Sequence, residues 1–568
     1  MPNHLSSENI QALLNCSSEE EMKEKAKDLK IRIEFSTVFI AGSGPVGCTY
    51  ARLVLDQYKE PDAVVMMAEI GSQDHPVVGA HHKNSIKYQK DIDAFVNVIK
   101  GALQPISVPP TDPLQTTLAG AAWHPPLNPE DGVLVIQGHN PNQKPGVNLR
   151  ASAVTRTVGG MATHWTCACP LPHEEERVHC PIDKAEFDGL LGRAGQLLNV
   201  HDDQYDNAIR HTVVKERLGA MLPEERGLRS LPLAVQRRTD NPDYVTWTGS
   251  DTILGEAAKD PRFKLKTETR VTRLISNKQN PRKVSAVLTR DLNTNEDVLI
   301  IAKAYVITCG AIGTPQILWN SGIRPPALGR HLTLLKIVLL REIVDRIPFD
   351  PRFEERVERH RERHPSDPLP IPFNDPEPQV NLPYTAKYPW HVQIHRDAFS
   401  YGDVGPKADP RVVVDLRFFG KGEIRAENRV TFGKEGLREG DWRAGVTDIY
   451  GMPQPTFHVE RTKDDGDRDQ RMMEDMTAVA SMLGGYLPDS YPQFMEPGLA
   501  LHITGTIRVG KDPENSVADP NSRVHGFDDL WVGGNGCIPD ATASNPTRTS
   551  VAYAIRGAEA IVAHLRQP

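Results

Sequence analysis

Cysteine is scarce in this chain, with seven residues among 568. Their odd number cannot pair off completely within one molecule, so a scaffold stapled by disulfides is not expected. Only Cys167 and Cys169 stand close together, and no Cys/His grouping has zinc-finger spacing, so no metal centre is expected either. Long apolar runs are missing too. Nothing approaches the ~20 consecutive apolar residues that cross a bilayer. The opening MPNHLSSENIQALLNCSSEEEMKEK has no basic stretch followed by an apolar one, so neither a membrane anchor nor a conventional signal peptide is expected. Positive charge is not in excess: 66 Lys and Arg face 74 Asp and Glu, a net charge of −8, which argues against a nucleic-acid surface.

What is present is chain enough for two joined domains, since 568 residues exceed what one core organises. Ile33 to Ile40 is β-branched and apolar, AGSGPVG follows, and a helical pattern runs to Leu55; a second apolar run, Ala63 to Met67, ends at Glu69. Strand, tight turn, helix and strand make a βαβ unit. In Gly42-Ser43-Gly44-Pro45-Val46-Gly47 the first glycine permits the turn, Gly44 lets backbone amides approach a pyrophosphate, and Gly47 lets helix and strand pack closely. The helix N-terminus then faces the phosphates. Glu69, 22 residues beyond Gly47, stands where a carboxylate accepts hydrogen bonds from an adenosine ribose. This fingerprint suits FAD and NAD alike.

Two further groupings carry chemistry. RTVGGMATHWT at 156–166 sets paired glycines and small residues beside His164, which suits backbone laid against a flat ring; taken alone, a histidine there is more often structural. His502 in LHITGT and Asn545 in SNPT form the other grouping. Removing hydride from a secondary alcohol leaves a protonated carbonyl, so a neutral imidazole must first take the hydroxyl proton, and an amide beside it can orient that hydroxyl. By itself, Asn-Pro reads as a turn.

In this order and at these separations, GSGPVG, VGGMATHWTC, QIHRDAFSYG, LHITGT and SNPT resemble the fungal pyranose 2-oxidases of the glucose-methanol-choline (GMC) oxidoreductase superfamily. The resemblance runs from about Ile33 to the C-terminal helix. It implies an α/β fold in which a Rossmann-like FAD-binding domain joins a mixed-sheet substrate domain with an inserted protrusion. It also implies FAD attached covalently through His164, Thr166 beside the flavin N5, His502 as proton acceptor and Asn545 as hydrogen-bond partner of the sugar. Asp397-Ala398-Phe399-Ser400-Tyr401-Gly402 resembles the family's substrate loop, with Asp397 to accept sugar hydroxyls and Phe399 and Tyr401 to cover a sugar face. Gln393 and Arg417 are implied as polar walls of the same pocket. The implied reaction oxidises D-glucose and related aldopyranoses at carbon 2, with dioxygen or a quinone as acceptor. A homotetramer follows from the resemblance, as does a cytoplasmic or unconventionally exported, periplasmic location.

The FAD-binding domain is expected to be discontinuous, built from 31–104, 148–190, 260–330 and 498–568; an arm covers 1–30 and the substrate domain takes 191–259 and 331–497. Residues 105–147, rich in Pro, Asn and Gly, read as surface loop. Phe263 to Ile275 reads as one edge strand, Ala304 to Thr308 as a buried strand entering GAIGTPQILWNSGI, Leu530 to Gly533 as a last strand and Thr549 to Leu565 as a last helix. The charge run RFEERVERHRERHPSDPLPIPF reads as a solvated helix within a protrusion near 345–385. Two positions depart from the family's usual residues: Ile507, where a histidine is usual, and Arg548, an aliphatic position where a charge can adjust an interface.

Overall fold

Two serine-capped helices lead into the first sheet: α1 (Ser7–Leu14) begins at Ser6 and α2 (Glu19–Asp28) at Ser18, each side-chain oxygen accepting from a backbone N–H of the first turn. Ile10, Leu13 and Ala26 bury their side chains against Ala286, Leu288 and Leu299, so the N-terminal arm covers one face of that sheet. This computed structural model describes the chain apart from residues 1–4, 110–122, 125–134, 137, 333–335, 345–350, 397–408, 434–446, 449, 487–491 and 568.

The strand β1 (Arg32–Ala41) is followed by α3 (Pro45–Gln57) and β2 (Val65–Ala68). Val38 to Ala41 and all of β2 are buried, the near-continuous apolar run of a parallel strand covered on both faces. Later chain returns as β3 (Phe263–Lys266), β4 (Thr269–Ser276), β5 (Val284–Asp291), β6 (Glu296–Ile307) and the helix α4 (Gly310–Asn320). The seven-stranded sheet runs β3-β2-β1-β6-β5-β4, with Leu530–Val532 paired to β6. The C-terminal helix, Thr547–Leu565, packs on α3.

Phe263 to Ile275 is not one edge strand. It breaks at 267–268, where Glu268 adopts φ 48°, and its halves lie at opposite ends of the sheet order. The break wraps the chain around the end of β2: Glu69 N donates to Lys266 O at 2.8 Å, and Thr269 N donates to Glu69 O at 2.8 Å. Thr269, Arg270 and Val271 are thereby held beside Glu69.

A second seven-stranded sheet is antiparallel throughout, with β7 (Lys336–Val344), β8 (Gln379–Leu382), β9 (Trp390–His395) and β10 (Val413–Gly420) at its centre. Side chains alternate across β9 and β10. Val392, Ile394, Leu416 and Phe418 bury one face against Met472, Met476 and Val479 of α5 (Lys463–Leu483). Each such side chain removed from water contributes ~1.5–3 kcal/mol. The opposite face carries His391, Gln393, Arg417 and Phe419, with His391 opposite Phe419 and Gln393 opposite Arg417.

Three further expectations change. The charge run forms the helix Glu354–Arg363, but it is not wholly solvated, because Phe353, Val357 and His360 share one helix face and are buried. Phe353 and Val357 pack on Ile209 and Val213, and His360 Nε2 lies 2.8 Å from Asp367 Oδ2. Part of 105–147 is interior rather than surface: the fully buried Asn140 amide donates to Ser107 Oγ at 2.8 Å and to Pro455 O at 2.9 Å. Arg548 turns inward, donating to Leu191 O at 3.0 Å, while Ile507 is buried in the main core.

Candidate active site

Where β1 turns into α3, the chain opens on a cavity of about 380 Å³. Its wall includes Gly42, Gly44, Glu69, His164, Thr166, Gln393, Arg417, His502 and Asn545, residues drawn from distant parts of the sequence. Gly47 stands behind the turn. Asp397, Phe399 and Tyr401 lie outside the described residues.

Backbone geometry requires glycine at two positions of the turn, 42 and 47. Gly42 has φ 97°, and a Cβ at Gly47 would stand 2.0 Å from the carbonyl oxygen of Gly42. A Cβ at Gly44 would meet nothing within 4 Å, so this position faces open space. Gly44 is the N-cap of α3 and Pro45 follows; no side chain caps the helix, leaving the positive end of its dipole at the cavity edge. The buried Glu69 carboxylate accepts from Ser43 N at 3.0 Å, Ser43 Oγ at 2.7 Å and Gly71 N at 3.0 Å, so it braces the turn from within. Burial pushes its pKa up. Ser43 Oγ also accepts from Gly159 N at 2.9 Å, which ties the paired glycines at 159–160 to the same turn.

His164 is buried at the cavity wall, with Nδ1 3.0 Å from Thr163 Oγ1 and Nε2 3.4 Å from Thr155 Oγ1. Burial first, then the neighbouring His82, lowers its pKa to about 3. The segment around it is anchored on both sides: His81 Nε2 lies 2.9 Å from Trp165 O, and Trp165 Nε1 donates to Thr248 O at 2.7 Å.

His502 and Asn545 are brought together from 43 residues apart, with Asn545 Nδ2 3.2 Å from His502 Nε2. The imidazole stacks on Phe419 at a centroid distance of 6.0 Å and an interplanar angle of 24°. Burial lowers the His502 pKa to about 3, so the ring is neutral near pH 7, the form that can accept a proton. Asn545 Oδ1 accepts from Gln393 Nε2 at 2.6 Å, which joins the pair to β9.

The model of the GMC oxidoreductases matches residues 234–336 in its N-terminal part and 443–554 in its C-terminal part. The pyranose 2-oxidase of Tricholoma matsutake is 64% identical over 570 residues, covering 100% of both chains. That of Lyophyllum shimeji is 42% identical, over 93% of this chain and 92% of its own. The chain belongs to the pyranose 2-oxidase family of GMC oxidoreductases. A formate oxidase of Aspergillus oryzae, only 14% identical, shares the fold with a TM-score of 0.61 over 94% of this chain and 99% of its own.

Membership in this family implies FAD, and the cavity fits it. The uncapped α3 N-terminus and the open face at Gly44 suit a pyrophosphate, and Glu69 retains acceptor capacity beside them. At the cavity's other functional group, His502 Nδ1 is buried without a hydrogen-bond partner among the described residues. Phe419 carries no motif of its own; the alternation VVDLRFFG, with Arg417 and Phe419 two apart, is the signal that sets it on the cavity face. Among the described residues no helix is long and apolar enough to cross a membrane.

Acid should weaken this fold through its neutral histidines. The pKa values of His391 and His502 are each lowered by burial from 6.5 to about 3, so the unfolded chain binds protons that the native chain refuses. Their contribution is complete above 6.5 and is lost as pH falls from 6.5 toward 3, at up to ~1.4 kcal/mol per pH unit for each group. Thermal unfolding of the flavin-loaded protein should therefore show a falling Tm between about pH 6.5 and pH 5, because His211, His331, His391 and His502 outnumber Glu176 and Asp529, carboxyls that burial raises to about 7 and about 6 and that act in the opposite sense. A Tm that stays flat there contradicts the assignment of neutral, buried rings.

Proposed function

We propose that this chain is an FAD-dependent pyranose 2-oxidase that oxidises D-glucose and related aldopyranoses at carbon 2 to 2-keto sugars. Dioxygen takes the two electrons and two protons to give hydrogen peroxide, or a quinone takes them to give a hydroquinone. The reading is carried by one observation: His164, His502 and Asn545 face a single cavity that also holds the glycine turn.

FAD, when bound, supplies a two-electron acceptor for the hydride of the sugar C–H bond. The chain's own groups do the rest. His502 accepts the hydroxyl proton at Nε2 and releases it when the acceptor is reduced. Asn545 orients the same hydroxyl through its amide, and Gln393 holds that amide in place. Arg417, cross-strand from Gln393, offers hydrogen bonds to the remaining hydroxyls. Thr166 stands on the cavity wall as a further hydroxyl donor for oxygen reduction. We assign His164 as the covalent attachment point, and Asp397, Phe399 and Tyr401 as the sugar-covering loop. The division into an FAD-binding and a substrate domain, and assembly as a homotetramer, belong to the same reading.

The test is anaerobic mixing of the yellow protein with D-glucose, followed by admission of oxygen or benzoquinone. Bleaching should occur with one 2-keto sugar formed per flavin, colour should return with either acceptor, and oxygen should yield peroxide. Failure of glucose and other aldopyranoses to bleach the protein refutes the assignment.

A further inference from the structure

The pair His502 and Asn545 ends a line of polar side chains that is buried from Asn545 inward. Gln393 Nε2 lies 2.6 Å from Asn545 Oδ1 and 3.1 Å from Nε2 of His391, while Asn545 Nδ2 lies 3.2 Å from Nε2 of His502. His391 and Gln393 are two apart on β9 and share its cavity-side face, although His391 is not part of the cavity wall. Both are 1% exposed, so their polar atoms depend on one another for hydrogen bonds. The Phe419 ring lies 6.0 Å, centroid to centroid, from both imidazoles.

At the far end of the line Asn381 is fixed. Asn381 donates from Nδ2 to Val392 O at 2.8 Å and accepts at Oδ1 from Arg229 Nε at 3.2 Å, which settles its amide orientation. Its nitrogen lies 3.2 Å from Nδ1 and 3.4 Å from Nε2 of His391, against the ring rather than aimed at one atom. Burial, then the charge of Arg229, lowers the His391 pKa to about 3 and keeps the ring neutral.

A neutral imidazole has one donor and one acceptor nitrogen. With Nε2 of His391 as acceptor, the Gln393 amide must present its NH2 group. Asn545 must then turn its oxygen to Gln393 and its NH2 to His502, which requires a lone pair on Nε2 of His502. The opposite tautomer of His391 reverses both amides and places a proton on that nitrogen. We propose that His391 is a positioning residue for sugar oxidation: through Gln393 and Asn545 it selects the tautomer in which Nε2 of His502 can take the hydroxyl proton. This rests on the reading of His502 as the proton acceptor.

Two variants separate positioning from packing. His391→Gln keeps an oxygen able to accept from Gln393, whereas His391→Leu keeps bulk and removes every polar atom. Each is prepared as the flavin-loaded full chain, and anaerobic flavin reduction by D-glucose is measured per bound flavin across sugar concentrations. The limiting rate should fall at least about tenfold in His391→Leu and recover to within about threefold of the parent in His391→Gln, with half-saturation moving less than about threefold in both. A limiting rate within about twofold of the parent in His391→Leu, or equal losses in the two variants, overturns the proposal. If His391→Leu does not fold, Gln393→Glu decides. Its carboxylate only accepts, so it forces the Asn545 oxygen toward His502; a limiting rate that does not fall about tenfold with flavin retained overturns the proposal. Should His502→Ala itself reduce flavin at the parent rate, the error lies in the choice of base, and the two failures are told apart.

Discussion

Replacing His502 with alanine should lower the rate of anaerobic flavin reduction by D-glucose about 10²–10⁴-fold, the usual contribution of a positioned general base. Among the described residues no neighbour can substitute. Asn545 and Gln393 are amides without basic nitrogen, and His391 is separated from the cavity by Gln393. The loss should appear mainly in the limiting rate, because the proton is transferred in the transition state while the sugar contacts proposed for Gln393 and Arg417 would persist. Cofactor binding should survive, since the glycine turn, the α3 N-terminus and Glu69 belong to the other sheet. Flavin absorbance per chain, measured alongside the rate, separates lost chemistry from lost cofactor. A rate within about tenfold of the parent, at full flavin content, removes His502 from its assigned role.

The parts of the site that could be read from the sequence are those whose geometry is local. Gly42, Gly44 and Gly47 announce themselves because strand, turn and helix are contiguous, and the same contiguity sets Glu69 at the end of the next strand. The second role of Glu69, bracing Ser43 and Gly71, was not legible, because it depends on how β2 ends against the turn. The break at Glu268 leaves only a weak signal: apolar residues alternate on both sides, five polar residues in a row at 266–270 interrupt them, and the left-handed backbone falls on a non-glycine residue. In the charge run, Phe353, Val357 and His360 keep helical spacing, but surrounding arginines and glutamates mask so narrow a stripe. The line from His391 to His502 needs the register of β9 on β10 and a contact across 152 residues from Gln393 to Asn545. No short window contains that information.

His164→Ala should abolish the flavin that remains on the polypeptide after denaturation, an all-or-none change visible as lost fluorescence on a denaturing gel. Burial keeps the ring unprotonated well below neutral pH, so one nitrogen always offers a lone pair at the cavity wall. Nδ1 is engaged at 3.0 Å by the hydroxyl of Thr163, whereas Nε2 has only Thr155 Oγ1 at 3.4 Å, so Nε2 is the freer nucleophile. The native variant should still be yellow after gel filtration, because the turn at Gly42–Gly47 and Glu69 would hold the dinucleotide without a covalent link. Peptide mass analysis of the parent should place the added flavin mass on the fragment containing His164. Complete release of flavin from the denatured parent, or fluorescence that persists in His164→Ala, rules this residue out as the attachment point.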